Sequence, residues 1–220
     1  MSNGAAGKQP RTAAGRATRQ RIVQAATELV AERGVAATSL DDVRDRAHAS
    51  KSQLYLYFTD RDDLMRAVSE STCEAVMEVQ SEVLAGFDSL EGIERYLDAT
   101  VALQEQREAR GGCPIGSLVG QVAEHDEGAR LALAAGFDRW EAGLRGGLEA
   151  MAQRGELRPD TDPALLSRQI LASLQGGLLL TQVRRDPGQL RAAADGVLAL
   201  VRAQRTRQPA LPDTSRSQSG

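Results

Sequence analysis

Three helix-start signals crowd into the stretch from Thr38 to Asp63, and few folds can accommodate them so close together. Thr38-Ser39-Leu40-Asp41 reads as a capping box: the Thr38 hydroxyl accepts from the backbone three residues on, and Asp41 lies in the first turn. Ser50-Lys51-Ser52-Gln53 is a second box, of the Ser-x-x-Gln type. Asp60-Arg61-Asp62-Asp63 opens a third helix. Leu40, Val43 and Ala47 form one apolar stripe, so the first of these helices has about eight residues before His48-Ala49 breaks it. Upstream, Ile22, Ala25, Ala26, Leu29 and Val30 recur at spacings of three and four, and Gly34 stands where a C-cap would.

One longer helix followed by two short ones joined by a tight turn is the helix-turn-helix arrangement, whose second short helix enters the DNA major groove. Ala47 is small where the helices approach. His48 occupies a turn position that favours positive φ, which His tolerates better than most residues. Charge agrees with this reading once it is located. The chain carries a net −3. Residues 1–66 hold 11 basic and 8 acidic groups, and the excess of acid lies further on. Local basicity is what counterion release asks of a DNA-binding face.

The remainder reads as helix after helix. A long apolar pattern runs from Leu64 to Leu84; another follows Ser89; Gly111-Gly112 is a break; Cys113-Pro114 leads into Ile115, Leu118 and Val122. Leu133, Phe137, Trp140, Leu144 and Leu148 mark a further helix, Asp162-Pro163 opens a strongly apolar one, and a last helix runs from about Gly188 to Arg202. No β alternation of useful length appears. The expected fold is all-α with about nine helices. Its expected parts are a disordered basic arm (1–16), a helix-turn-helix domain (17–64), a helical ligand-binding and dimerisation domain (65–204) and a disordered tail (205–220).

Composition removes alternatives. Two cysteines, Cys73 and Cys113, cannot make a disulfide framework, and the two histidines have no partner at zinc spacing. No apolar run reaches the ~18 residues of a membrane span. We therefore expect a cytoplasmic protein that uses no cofactor or metal and is not an enzyme. Aromatics are scarce, seven in all, yet Tyr55, Tyr57 and Phe58 sit together.

The run from Thr38 to Leu64, with its Leu54-Tyr55-Leu56-Tyr57-Phe58 block, resembles the DNA-binding domain of TetR-family transcriptional regulators. Val43, Arg44, His48, Ala49, Ser52 and Arg61 depart from the family pattern of Ile, Ala, Gly, Val, Gly and Lys. Gly112-Cys113-Pro114-Ile115-Gly116-Ser117-Leu118, followed by the Phe137–Trp140 helix, resembles the C-terminal domain of one subgroup. The resemblance implies a homodimeric, ligand-responsive regulator, a repressor in most of its relatives, on a palindromic double-stranded operator. The alternatives are an activator or a ligand-independent regulator of the same fold and, more remotely, a thiol-based electrophile sensor or a small all-α enzyme using Cys113.

It also implies roles. Tyr55 and Tyr57 project towards phosphates while Phe58 plugs the core. Lys51, Arg61 and Arg19 bind phosphates, and Thr38 and Ser39 present the free N–H groups of a helix start. Gln53 reads adenine in bidentate fashion, with Ser50, Ser52 and Arg44 as further contacts. Tyr96, Cys113, Leu118, Phe137, Trp140, Leu174 and Leu178 are candidates to line a pocket for a hydrophobic small molecule. Cys113, ahead of a helix, is either a thiol of lowered pKa or a small buried apolar group. The apolar surface of the Leu165–Val183 helix is too broad for one solvent face, so the last two helices are expected to form half of an intersubunit bundle.

Overall fold

The computed structural model describes residues 10–206. Among these there are nine helices: α1 (Ala13–Arg33), α2 (Leu40–Arg46), α3 (Lys51–Tyr57), α4 (Arg61–Leu84), α5 (Leu90–Gln106), α6 (Pro114–Val122), α7 (Glu127–Gln153), α8 (Pro163–Arg184) and α9 (Gly188–Ala203). Eight of the nine begin on a side chain that accepts a backbone N–H at the N-cap, namely Thr12, Ser39, Ser50, Asp60, Ser89, Cys113, Asp126 and Asp162. Pro114 and Pro163 stand at first positions, where a missing N–H costs nothing.

Three boundaries differ from the sequence expectation. Helix α1 starts at Ala13, capped by Thr12, so residues 13–16 are helical rather than part of an arm; residues 1–9 lie outside the described residues. The cap of α2 is Ser39 with Asp42, not Thr38 with Asp41. Thr38 is buried and its hydroxyl donates to the Gly34 carbonyl (2.8 Å), which removes it from capping. At the other end, Arg205 pairs with Leu157 in an isolated bridge, and the Thr206 N–H donates to Glu156 (3.0 Å). The start of the expected tail is therefore tied down; residues 207–220 lie outside the described residues.

One continuous aliphatic core runs from Ile22 to Val201. Helix α1 packs on α2, α3 and α4; α4 continues past this group to pack on α7; and α7 packs in turn on α6 and α8, with α9 between α8 and α5. Two glycines make these approaches possible. A Cβ on Gly147 of α7 would run into the Phe87 carbonyl, and one on Gly177 would meet Ala193 of α9. The few aromatics are grouped: Phe87 meets Tyr96 edge-on at 5.1 Å, and the Trp140 indole donates to the Tyr96 hydroxyl (2.9 Å). No described helix is long and apolar enough to cross a membrane.

Candidate nucleic-acid interface

The turn between α2 and α3 is set by His48, whose φ of 47° lies in the left-handed region. Arg21 of α1 donates to the Ala47 carbonyl there (2.8 Å), fixing the turn against the long helix. Helix α3 then turns Leu54, Tyr57 and Phe58 inward, while Lys51, Ser52, Gln53, Tyr55 and Leu56 face solvent. Lys51, Tyr55 and Arg61 converge with Thr38 and Ser39 around an open depression beside the start of α2. Two cations, Lys51 and Arg61, outnumber the one acid of its lining, Asp41, and with the Tyr55 hydroxyl they give it the chemistry that contacts a phosphate backbone.

Several expected contacts sit elsewhere in the free protein. Tyr57 is 8% exposed against 49% for Tyr55, so its ring belongs to the core rather than to a DNA face. Arg44 is held by Asp41 (2.5 Å) and Asp45 (2.8 Å), which cancels its charge locally. Arg19 lies over the Phe58 ring (5.2 Å to its centroid), a cation–π contact that braces α1 against the end of α3. At the α2 start the Asp42 N–H is taken by the Ser39 hydroxyl and the Ser39 N–H by the Asp42 carboxylate, and Asp41 adds a second negative charge, which opposes a phosphate there. Gln53 spends its Oε1 on the Ser50 N–H (2.9 Å), so bidentate adenine reading requires that cap to open. Ser50 and Ser52 share a hydrogen bond (2.9 Å). Arg61 donates to the Val35 carbonyl at 2.6 Å.

The body of the protein carries cavities. One, of about 320 Å³, lies among α4, α5, α6, α7 and α8 and includes Cys113, Trp140 and Leu178 of the seven expected ligand residues. Val76, Val79, Thr100, Leu103, Gln104 and Arg107 complete much of it; Val76, Val79 and Leu103 belong to the apolar helix patterns of the sequence, and none of the six was expected as a ligand residue. Phe137 faces a separate cavity of about 440 Å³ among α6, α7 and α8, whose wall also includes Cys113. Leu118 lines a gap between α1 and α6. Tyr96 and Leu174 line none of these and are fully buried core residues, Tyr96 lying directly behind Trp140.

Cys113 resolves towards the apolar reading. Its Sγ caps α6 by accepting from the Gly116 N–H (3.5 Å), yet burial pushes the thiol above its ordinary pKa and outweighs that hydrogen bond and its Gln175 neighbour. Burial likewise raises Cys73 and, strongly, the Tyr96 phenol.

A left-handed turn into a short exposed helix, a cationic depression beside it and a separate apolar body define a helix-turn-helix DNA-binding regulator. The comparisons agree. The pattern described as "Bacterial regulatory proteins, tetR family" matches residues 22–68, and "Tetracyclin repressor-like, C-terminal domain" matches 89–197. An HTH-type transcriptional regulator of Mycobacterium tuberculosis strain H37Rv is 31% identical over 182 residues, 76% of this chain and 86% of that one. One from Lactococcus lactis is 29% identical, over 82% of this chain and 91% of its own. The HTH-type transcriptional repressor DhaR of Mycobacterium sp. strain GP1 is 23% identical, over 76% and 84%. Among solved structures, a TetR-family regulator from Cytophaga hutchinsonii superposes with a TM-score of 0.75 at 18% identity, covering 90% of this chain and all of that one. One from Mesorhizobium loti gives 0.72 at 20%, covering 89% and 98%. The chain belongs to the TetR family of bacterial transcriptional regulators.

Proposed function

We propose that the protein is a cytoplasmic, homodimeric repressor released from a palindromic operator by an apolar small molecule. The exposed face of α3 carries this reading, because it combines a cation, hydroxyls and an amide on a rigidly placed short helix. In the proposal residues 17–64 read DNA. Lys51, Arg61 and Tyr55 hold phosphates, and Ser39, Ser52 and Gln53 lie within reach of the groove; Tyr57 supports them from inside. Residues 65–204 bind the effector, in the cavity lined by Trp140 and Cys113, and join the two copies.

Dimerisation draws support from α8. Leu165, Leu179, Leu180 and Val183 stay exposed, Leu179 at 65% and Val183 at 71%, and a Cβ on Gly176 would meet nothing. On α9, which packs against α8, the small residues Ala192, Gly196 and Ala199 are exposed.

Gel-shift binding to the gene's own upstream region tests the DNA face. Tyr55→Ala combined with Gln53→Ala should abolish the shift; unchanged binding removes the site assignment. Leu179→Arg should leave folded monomers by light scattering, and a persistent dimer refutes the α8 interface. Derepression of the target in a deletion strain distinguishes a repressor from an activator.

A further inference from the structure

The α4–α8 cavity contains one polar group out of place. Gln104 of α5 is 2% exposed, and its Oε1 has no hydrogen-bond partner. An unpaired buried carbonyl is costly, and proteins seldom keep one that nothing uses. Its neighbours in the wall do not relieve it. The Thr100 hydroxyl donates to the Tyr96 carbonyl (2.8 Å), and the Thr27 hydroxyl donates to Val23 (2.9 Å). The Trp140 N–H is spent on Tyr96. Thr72, Gln80 and Arg107 also bring donors to the lining, yet none of them is bonded to Gln104 Oε1, which stays the unpaired acceptor there. Arg107, exposed at the end of α5, is the single charged residue in the lining, which is otherwise neutral and largely aliphatic.

From this we infer that the effector is an uncharged, mainly apolar molecule carrying a hydroxyl or N–H donor, which it gives to Gln104 Oε1. The cavity's ~320 Å³ is at the small end of ligand pockets, so the molecule is compact. Specificity follows from the buried acceptor: an analogue of the same shape without the donor leaves Gln104 desolvated and unpaired, and is rejected. A carboxylate gains nothing at Gln104, because it brings acceptors to an acceptor, and the one cation in the lining, Arg107, is exposed to solvent.

The inference rests on reading this cavity as the effector site, and one experiment separates the two. Trp140 is the only tryptophan and lines the cavity, so its emission reports occupancy. Three probes of one shape are titrated into the full-length protein and followed by fluorescence and calorimetry: 4-phenylphenol, 4-methoxybiphenyl and biphenyl-4-carboxylate. The phenol should bind roughly tenfold tighter than the ether, the worth of one hydrogen bond to a desolvated acceptor. In Gln104→Leu the two should bind within about twofold, the ether gaining what the phenol loses. Equal affinities in the native protein, or a carboxylate that binds best, overturn the donor requirement while leaving the cavity as the effector site. Binding by none of the three overturns both readings. The native comparison decides even if Gln104→Leu folds poorly; Gln104→Met is the second variant, with the same expected loss of preference.

Discussion

The loop between α1 and α2 is gripped from two sides, and loosening one side has a calculable effect. Gln121, on α6, accepts the Val35 N–H at 2.7 Å through its Oε1, a contact spanning 86 positions in the chain. Gln121 is in turn steadied by donating to the Ser117 carbonyl (2.9 Å). From the other side Arg61 holds the Val35 carbonyl. The Val35 side chain is buried, so Gln121→Ala strands a largely buried N–H at a cost of about 1–3 kcal/mol. The gap beside it, lined by Gly34, Leu118 and Gln121, admits water that can take over the hydrogen bond, so the lower end applies. In hydrogen exchange the Val35 amide should then exchange about 5–20 times faster, since each 1.4 kcal/mol is a factor of ten. Amides in the middle of α7 should hold their native rates. If Val35 exchanges at its native rate in the variant, the bridge carries no energy. If all amides accelerate together, the loss is global and the local reasoning fails.

Adjacent glycines on α7 provide a paired test of packing. Gly147→Ala, whose methyl would strike the Phe87 carbonyl, should lose about 1–3 kcal/mol or more in urea unfolding, whereas Gly146→Ala meets nothing and should gain about 0.5–1 kcal/mol of helix propensity. Equal effects would refute the assigned contact. The Ser39 hydroxyl, the Ser39 N–H and Arg33 hold the Asp42 carboxyl below the usual carboxylate range, so its contribution is present above pH ~4 and lost as pH falls through the lowered value. Asp42→Asn should therefore lower the urea midpoint at pH 7 and progressively less towards pH 3; a constant loss would contradict the linkage. With both thiols raised by burial, Cys73 and Cys113 should react with a disulfide reagent at pH 7.5 far more slowly in the folded protein than in urea. Rapid labelling of either would show an opening that the native packing does not contain.

Helix number and order were legible in the sequence because caps and glycines act locally: Ser89, Asp162 and Pro163 meet their partners within a turn. The α2 cap slipped by one residue because Thr38 and Ser39 are both competent, and the Gly34 carbonyl, a partner from the preceding turn, decides between them. Tyr57 was open to correction by arithmetic alone. At 100° per residue, positions 55 and 57 point to nearly opposite sides of a helix, whereas 54, 57 and 58 share one. Ion pairing on α2 was likewise visible, since Arg44 lies between Asp41 and Asp45. Gln104 left no trace in the sequence. It is an ordinary polar residue near the end of an amphipathic helix, and its burial comes from how α5 meets its neighbours. The same holds for Gln121, whose partner lies 86 residues away. The chemistry of the cavity is a property of packing, and no local signal announces it.

Helix α4 carries Arg61 at its first position and Val76 and Val79 in the cavity wall. At 1.5 Å per residue those points are about 23–27 Å apart along one rod. A rotation of about 5° about the cavity end would sweep Arg61 through roughly 2 Å, several times the slack that a hydrogen bond tolerates. The side chain that grips Val35 thus rides on the long arm of a lever whose short arm is the cavity wall. If the proposed effector tilts the wall by that small amount, the depression by α3 changes shape.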